Sequence, residues 1–283
     1  MIKTIAITGA TGGIGEQLVV LLRASGFRVY ELSRENKHKS SDWLCFDLNQ
    51  IELLELPMDI DVFIHAAHDF SVSTWKEMER RNIESSLSLF YKVKKIGCEN
   101  FIFFSSMAAF EGAKSNYGRA KKKIEDSLLP NGAISIRPGL VYGVNSGLVA
   151  TLRRQIINNK LIPLIDGGKQ KIYPISVQNL CLGVLAIIEE PDRFKIKPVV
   201  LAAKHPTTLH DFCLALARQS QKTPCFFSIP SVLVFFGLRV IEIFGVNIPF
   251  KSDSVVSLCN QCLDPFTGNL SLSIEPEGEL YEI

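Results

Sequence analysis

The stretch Thr4-Ile5-Ala6-Ile7-Thr8-Gly9-Ala10-Thr11-Gly12-Gly13-Ile14-Gly15-Glu16 decides the fold. Thr4–Thr8 is a short, β-branched run that reads as a buried strand, and Gly13–Ser25 reads as a helix. Between them, the glycines at 9, 12 and 15 follow a G-x-x-G-x-x-G pattern. Gly9 turns the chain off the strand, Gly12 lets the backbone approach phosphate oxygens, and Gly15 brings the helix close to the strand. The free N–H groups and partial positive charge of the helix start suit a pyrophosphate. Any tight turn favours glycine, so the pattern alone is weak. A strand before it and a helix after it point to a dinucleotide, cradled by Gly9, Thr11, Gly12, Gly13, Ile14 and Gly15.

Outward from this unit, short apolar runs alternate with longer helical stretches. Strands are expected at Thr4–Thr8, Arg28–Leu32, Trp43–Phe46, Val62–His65, Phe101–Ser105 and Ala133–Arg137. Helices are expected at Gly13–Ser25, Trp75–Ile96 and Asn116–Leu128. Strands that are apolar throughout, with helices between them, predict an α/β fold: a Rossmann-type, doubly wound parallel sheet covered on both faces. After Gly143 helices predominate, at Gly147–Asn159, Val177–Glu189, Thr207–Ser220 and Ser231–Phe244. Extended pieces fall at Lys171–Ile175 and Pro198–Ala202. The expected organisation is a dinucleotide-binding domain over 1–143, re-entered around 171–202, and a smaller, mostly helical substrate lobe within 144–283.

The bulk numbers exclude several classes. The 283 residues are 47% hydrophobic and 21% charged, enough for a sizeable core, and a net charge of +2 gives no support to a nucleic-acid partner. Seven scattered cysteines and a start with no secretory signal pattern read as reduced thiols in a cytoplasmic protein. Cys259 and Cys262 lack two further ligands at matching spacing, so no metal site is expected. Ile229–Phe250 is strongly apolar, but Arg239 and Glu242 interrupt it between Pro230 and Pro249. That excludes a transmembrane segment and favours a buried amphipathic helix, with peripheral membrane contact as the alternative.

The end of the second strand selects the dinucleotide. An acid there would bind the ribose hydroxyls of NAD, and a base the 2′-phosphate of NADP. Glu31 comes two residues early, and the strand closes on Ser33-Arg34. Ser33 can donate to a phosphate and Arg34 can grip it bidentately, which favours NADP while leaving NAD possible. Asp47, before Leu48, can accept from the adenine amino group or serve as a turn residue.

The strand at Phe101–Phe104 ends in Ser105-Ser106, and Tyr117-Gly118-Arg119-Ala120-Lys121 follows. Tyr117 and Lys121, at i and i+4, share one helix face. A tyrosine titrates near ~10, and a neighbouring ammonium lowers it by stabilising the phenolate. Lys121 is expected to supply that charge, Ser106 to orient a substrate oxygen, and Tyr117 to move the proton during hydride transfer. Tyr91 and Lys95 match the same loose pattern, but they lie away from the strand's carboxyl end and read as helix surface.

Together these motifs resemble the extended branch of the short-chain dehydrogenase/reductase superfamily, the NAD-dependent epimerase/dehydratase family. The resemblance rests on residues 8–15, Asp47-Leu48, His65-Ala66-Ala67, Asn82, Ser105-Ser106, Tyr117-x-x-x-Lys121 and Arg137-Pro138-Gly139-Leu140-Val141-Tyr142-Gly143. It implies that Asp47 and Leu48 line the adenine, and that Ala66 and Ala67 flank the ribose and diphosphate. It also puts Ser105, Lys121, Pro138 and Leu140 beside the nicotinamide half, gives His65 a structural role, and implies a nucleotide-sugar substrate. A homodimer through the helices beginning near Trp75 and Asn116 is implied too, although ordinary sheet-covering helices would show the same spacing. Three features depart from the pattern: a short Ser106–Tyr117 segment, no acid at the second strand end, and Asn179 where the family carries Asp. The absence of Glu at Met107 or Ala108 lowers the dehydratase option.

The sequence therefore predicts an NAD(P)-dependent reductase or epimerase acting on a hydroxyl or keto group. A non-catalytic NADP-binding, redox-sensing or regulatory protein is the alternative. In the second lobe, Arg153, Arg154, Lys169, Lys171 and Tyr173 are candidates for holding a phosphate or sugar.

Overall fold

The computed structural model describes residues 3–72, 74–158, 161–246, 248, 250–262 and 264–271. Of the positions read above, Met1, Ile2, Asn159, Pro249 and the last twelve residues of the second lobe lie outside the described residues.

The glycine stretch folds as strand β1 (Thr4–Thr8), a turn, and helix α1 (Gly13–Ala24). The next strands are β2 (Arg28–Ser33), β3 (Trp43–Cys45), β4 (Val62–His65), β5 (Asn100–Phe104) and β6 (Ile134–Pro138). After β6 come β7 (Leu140–Tyr142), helix α5 (Gly147–Asn158), β8 (Leu161–Ile165), β9 (Lys171–Ile172), β10 (Pro174–Ser176) and helix α6 (Val177–Glu189). The described residues then continue through β11 (Val199–Leu201), β12 (Thr207–Thr208), helix α7 (Leu209–Gln219), β13 (Cys225–Ile229), helices α8 (Ser231–Ile243) and α9 (Ser252–Cys259), and β14 (Leu270–Ser271). Between β4 and β5 run α2 (Trp75–Met78) and α3 (Ser85–Lys95), and α4 (Asn116–Leu128) separates β5 from β6.

Among the described residues the main sheet has eight strands, ordered β14-β11-β6-β5-β4-β1-β2-β3, and each pairing is parallel. The order reverses between β1 and β4, and in such sheets ligands bind in the crevice beyond the strand ends at that point. Both β1 and β4 end there, at Thr8 and His65.

Alternation along the strands builds two apolar layers. Ile5, Ile7, Ile102 and Phe104 face Leu18 and Leu22 of α1 and Leu180 and Val184 of α6. Ala6, Phe63, Phe101 and Phe103 face Leu89 and Phe90 of α3 and Ile124 and Leu128 of α4. Because both faces are covered, the strands read as nearly continuous hydrophobic runs. A third cluster, including Leu152, Ile162, Leu164, Phe212 and Leu216, forms around α5, β8 and α7.

Three expectations change. The helix read over Trp75–Ile96 is broken by a wider π-helical turn at Glu79–Glu84. That turn carries Asn82, whose amide donates to the Asp69 carbonyl at 3.1 Å and whose oxygen accepts from the Asp69 amide at 2.7 Å. Satisfying that loop takes precedence over a regular α-helix, as π turns near functional sites commonly do. A parallel β8–β13 ribbon and helix α9, neither anticipated, build part of the second lobe. Finally, the helix at Ser231–Ile243 is not buried: none of its residues is, and much of its apolar surface faces outward. The half-buried side carries Val234, Phe235, Leu238 and Glu242, and Glu242 meets Ser252 of α9, so both faces of the helix are largely apolar. Among the described residues, no helix is long and apolar enough to cross a membrane.

Candidate active site

The turn after β1 is built by close backbone approach. Gly9 sits at φ +73°, and a Cβ there would lie 3.1 Å from the Ala67 amide nitrogen. A Cβ on Gly15 would lie 2.2 Å from the Gly9 carbonyl oxygen, so any side chain would push α1 off the turn. Gly12 is the N-cap of α1 and offers no side-chain cap. The first-turn amides of Gly13, Ile14 and Gly15 therefore have no partner among the described residues. An uncapped helix N-terminus over a glycine turn at the switch point fits a dinucleotide pyrophosphate. The loop entering α5 leans on it: a Cβ on Gly13 would lie 2.6 Å from Ser146 Oγ.

Thr8 ties this turn to the neighbouring strand. Its hydroxyl is 2.7 Å from His65 Nδ1 and accepts from the Ala67 amide at 3.2 Å. His65 Nε2 is 2.9 Å from Ser86 Oγ, so both ring nitrogens are engaged. Burial, followed by the Lys121 charge, pulls the ring down to about 3 and keeps it neutral. His65 therefore acts as a strut that fixes Ala66 and Ala67 against Gly9.

The adenosine side is mixed. Ser33 is buried; its hydroxyl donates to the Glu35 carbonyl at 2.8 Å and accepts from Trp43 Nε1 at 3.0 Å. A phosphate at Ser33 would compete with the Glu35 carbonyl for this proton. Glu31 is buried and pairs with Arg23 at 2.7 Å and with His38. Arg34 is exposed and makes no ion pair among the described residues. Asp47 accepts from the Asn49 amide at 2.9 Å and its side chain at 3.0 Å, a turn-forming role. Leu48 is buried, and its carbonyl accepts from Ser85 Oγ at 2.6 Å.

At the carboxyl end of β5, Ser105 is held by its amide on the Ile136 carbonyl at 2.8 Å, yet its buried Oγ has no partner among the described residues. Ser106 Oγ accepts from the Ala108 amide at 3.1 Å. Tyr117 enters on the first turn of α4, which is doubly capped. Ser115 Oγ accepts from the Gly118 amide at 3.0 Å, and the Asp253 carboxylate of α9 accepts from the Asn116 and Tyr117 amides at 2.7 and 2.9 Å. A Cβ on Gly118 would lie 2.4 Å from the Ala108 carbonyl, so glycine lets the helix start close to the Ser106 turn. The Tyr117 ring stacks on Phe70 and meets His68 edge-on at 5.1 Å between centroids.

Burial raises the Tyr117 phenol above its ordinary value, and the nearby Ser106 hydroxyl pulls the other way. The expectation that Lys121 lowers this phenol is therefore corrected. Lys121 Nζ donates to the Phe104 carbonyl at 2.7 Å and lies 4.7 Å above the Phe103 ring, but 5.9 Å from the Tyr117 ring. The lysine is itself buried, which pulls it down to about 7. An unfolded lysine keeps its proton up to ~10.4. Below about pH 7 the fold must bury an ammonium, and that penalty is relieved as pH rises from about 7 toward ~10.4. Unfolding free energy of the wild type is thus expected to rise by on the order of 2 kcal/mol between about pH 7 and 9, relative to Lys121→Met. Parallel stability curves for the two proteins would exclude a buried, low-pKa amine.

Pro138 and Leu140 are half-buried at the sheet's carboxyl edge, where Pro138 pairs with Leu201 and Leu140 with Pro174. Tyr173 joins them: its carbonyl would lie 2.0 Å from a Cβ on Gly139. The other second-lobe candidates, Arg153, Arg154, Lys169 and Lys171, are exposed. Tyr91 is exposed as expected, 61%, on the far helix. Several site residues were not anticipated. His68 Nε2 is buried without a partner among the described residues, beside Tyr117, and the ring is held neutral by burial. Its spacing three after His65 was the available signal. Asp253 carries no local signal, since it caps a helix 136 residues away.

A family model described as NAD dependent epimerase/dehydratase matches residues 5–202. The chain belongs to the NAD-dependent epimerase/dehydratase family. Within it, a ceramide reductase of Caulobacter vibrioides is 26% identical over 196 residues, covering 66% of this chain and 61% of the relative. The chain thus spans less than two thirds of that reductase. A UDP-glucose 4-epimerase of Vibrio cholerae is 26% identical over 226 residues, covering 68% of each. In fold, the chain matches a Thermotoga maritima UDP-glucose 4-epimerase structure with UDP-glucose at a TM-score of 0.68 and 20% identity, covering 80% of this chain and 85% of that one. A Thermus thermophilus UDP-glucose 4-epimerase complex with NAD gives a TM-score of 0.66 at 18% identity, covering 80% and 86%. The family's chemistry is that of NAD-dependent oxidoreductases and epimerases.

Proposed function

We propose that the protein is an NADP-dependent reductase of a keto group on a nucleotide-linked sugar or a similar small molecule. The observation that carries this reading is the placing of Tyr117 on the first turn of α4, beside the Ser106 turn at the carboxyl end of β5, with its ring against Phe70 and His68 and its phenol pushed above the ordinary tyrosine value by burial. A phenol that keeps its proton at neutral pH is an acid, and reduction needs an acid at the carbonyl oxygen. Ser106 orients that oxygen. Lys121 stands behind the phenol, one turn along the same face of α4.

Gly9, Thr11, Gly12, Gly13, Ile14 and Gly15 hold the pyrophosphate, Asp47 and Leu48 the adenine, and Ala66 and Ala67 the adjoining ribose and diphosphate. Ser105, Tyr117, Lys121, Pro138 and Leu140 hold the nicotinamide half. When bound, the dinucleotide supplies the hydride. The unpaired Ser105 Oγ and His68 Nε2 support a ligand at this end of the sheet, because buried polar atoms are seldom left unsatisfied. Reduction as the direction agrees with the ceramide reductase relative, and a nucleotide sugar with the UDP-glucose-bound epimerase neighbour.

Arg34, exposed and unpaired among the described residues, supports NADP over NAD. Fluorescence titration is expected to give tighter binding of NADPH than NADH. Arg34→Ala is expected to weaken NADPH by about 10–100-fold, the loss of a charge-assisted phosphate contact, and to leave NADH unchanged. Wild-type preference for NADH would overturn the NADP assignment. Stoichiometric NADPH consumption across a panel of keto nucleotide sugars tests the reductase; turnover without net consumption would make it an epimerase.

A further inference from the structure

Helix α8 carries the pattern the proposed chemistry leaves unused. Val232, Leu233, Phe236, Val240, Ile243 and the C-cap Phe244 are each more than half exposed. At about 100° per residue they fall within an arc of about 120°. Surface helices ordinarily turn such a stripe toward the core. Here it turns outward because the other side is fixed: the Glu242 carboxylate accepts from the Ser252 amide at 2.7 Å and its hydroxyl at 2.8 Å. The β8–β13 ribbon that leads into α8 adds Leu161 and Phe227, in register pairs two apart, 58% and 39% exposed.

At the start of α8 the exposed Asp166 carboxylate accepts from the Ser231 amide at 2.8 Å, against the helix's partial positive end. Between Lys222 and Lys251 the only acid is Glu242. Its side chain is 9% exposed, tied to Ser252 and 3.6 Å from Arg239. Arg239 is 52% exposed and stands at the edge of the stripe, and Lys222 is exposed before β13.

We propose that α8 docks the protein onto an anionic lipid bilayer. A second copy of the chain is a poorer occupant. Thirteen residues make a helix roughly 20 Å long. A stripe about 10 Å wide on it offers on the order of 200 Å², against the ~800 Å² per partner of a stable interface. A bilayer needs no matching shape: an apolar stripe sinks about 5–10 Å into the interface while flanking cations meet anionic headgroups. The surface is also coupled to the site. Glu242 holds Ser252, and its neighbour Asp253 caps the first turn of α4, which carries Tyr117.

The test is flotation of the full chain with vesicles of phosphatidylcholine containing phosphatidylglycerol, and with phosphatidylcholine alone. The protein is expected to float with the anionic vesicles, less at high salt, and weakly with the neutral ones. Phe236→Ser with Phe244→Ser is expected to cut partitioning by at least about tenfold, with unchanged circular dichroism and NADPH titration. Arg239→Gln is expected to weaken binding to anionic vesicles only. Wild type left in the dense fraction, or a double variant that floats as well as wild type, would overturn the proposal. So would a dimer in analytical ultracentrifugation that Phe236→Glu converts to monomer, which assigns the stripe to a second copy. The readout is partition, so it stands apart from the reductase reading.

Discussion

Tyr117→Phe is expected to lower turnover by about 10²–10⁴-fold, the usual worth of a positioned acid or base, while NADPH affinity stays within about twofold. The substitution removes one oxygen and leaves the ring, so its stacking on Phe70 and edge contact with His68 survive. The backbone is untouched, because the Tyr117 amide is fixed by Asp253 and the helix by Ser115. Burial already disfavours the phenolate, so losing the hydroxyl is expected to leave stability near wild type. A fall in turnover with intact cofactor binding therefore isolates proton transfer. Stopped-flow hydride transfer and equilibrium titration on one preparation make the measurement. Equal turnover in the variant would sink the assigned mechanism and favour the non-catalytic alternative.

The order of strands and the place of the glycine turn were legible because both depend on local signals. β-branched runs fix strands such as Val62–His65 by period, and Gly9 and Gly15 mark positions where the backbone admits no side chain. Tyr117 and Lys121 were legible through i, i+4 spacing on a helix bounded by Ser115. What stayed hidden depends on the third dimension. Nothing in the chain reveals that Glu35 and Trp43 engage the Ser33 hydroxyl. The electrostatics of Tyr117 read wrongly for a similar reason: spacing placed Lys121 beside it, but the ammonium turns to the Phe104 carbonyl. Helix α8 showed the opposite failure. Its period was clear, but period tells which residues share a face and not which way the face points.

Glu125→Ala is expected to destabilise the fold by about 3–5 kcal/mol in chemical denaturation, the cost of leaving a buried cation unpaired. Glu125 and Arg137 are buried, at 1% and 8% exposure. One carboxylate oxygen accepts from Ser135 Oγ at 2.7 Å and Arg137 Nε at 3.1 Å, and the other takes Arg137 Nη2. The pair binds α4 to β6, and Glu125 continues the stripe of Tyr117 and Lys121 by one more turn. Removing the acid alone strands a guanidinium in an apolar layer. Removing both charges, as Glu125→Leu with Arg137→Met, is expected to restore most of the stability, since apolar replacements of buried pairs are often neutral or better. The double variant then separates two roles. If it regains stability but turns over slowly, the pair positions α4, and with it Tyr117, against the end of β5. If it regains both, the pair serves the core alone, and the geometry of Tyr117 rests on Ser115, Gly118 and Asp253 at the start of its helix.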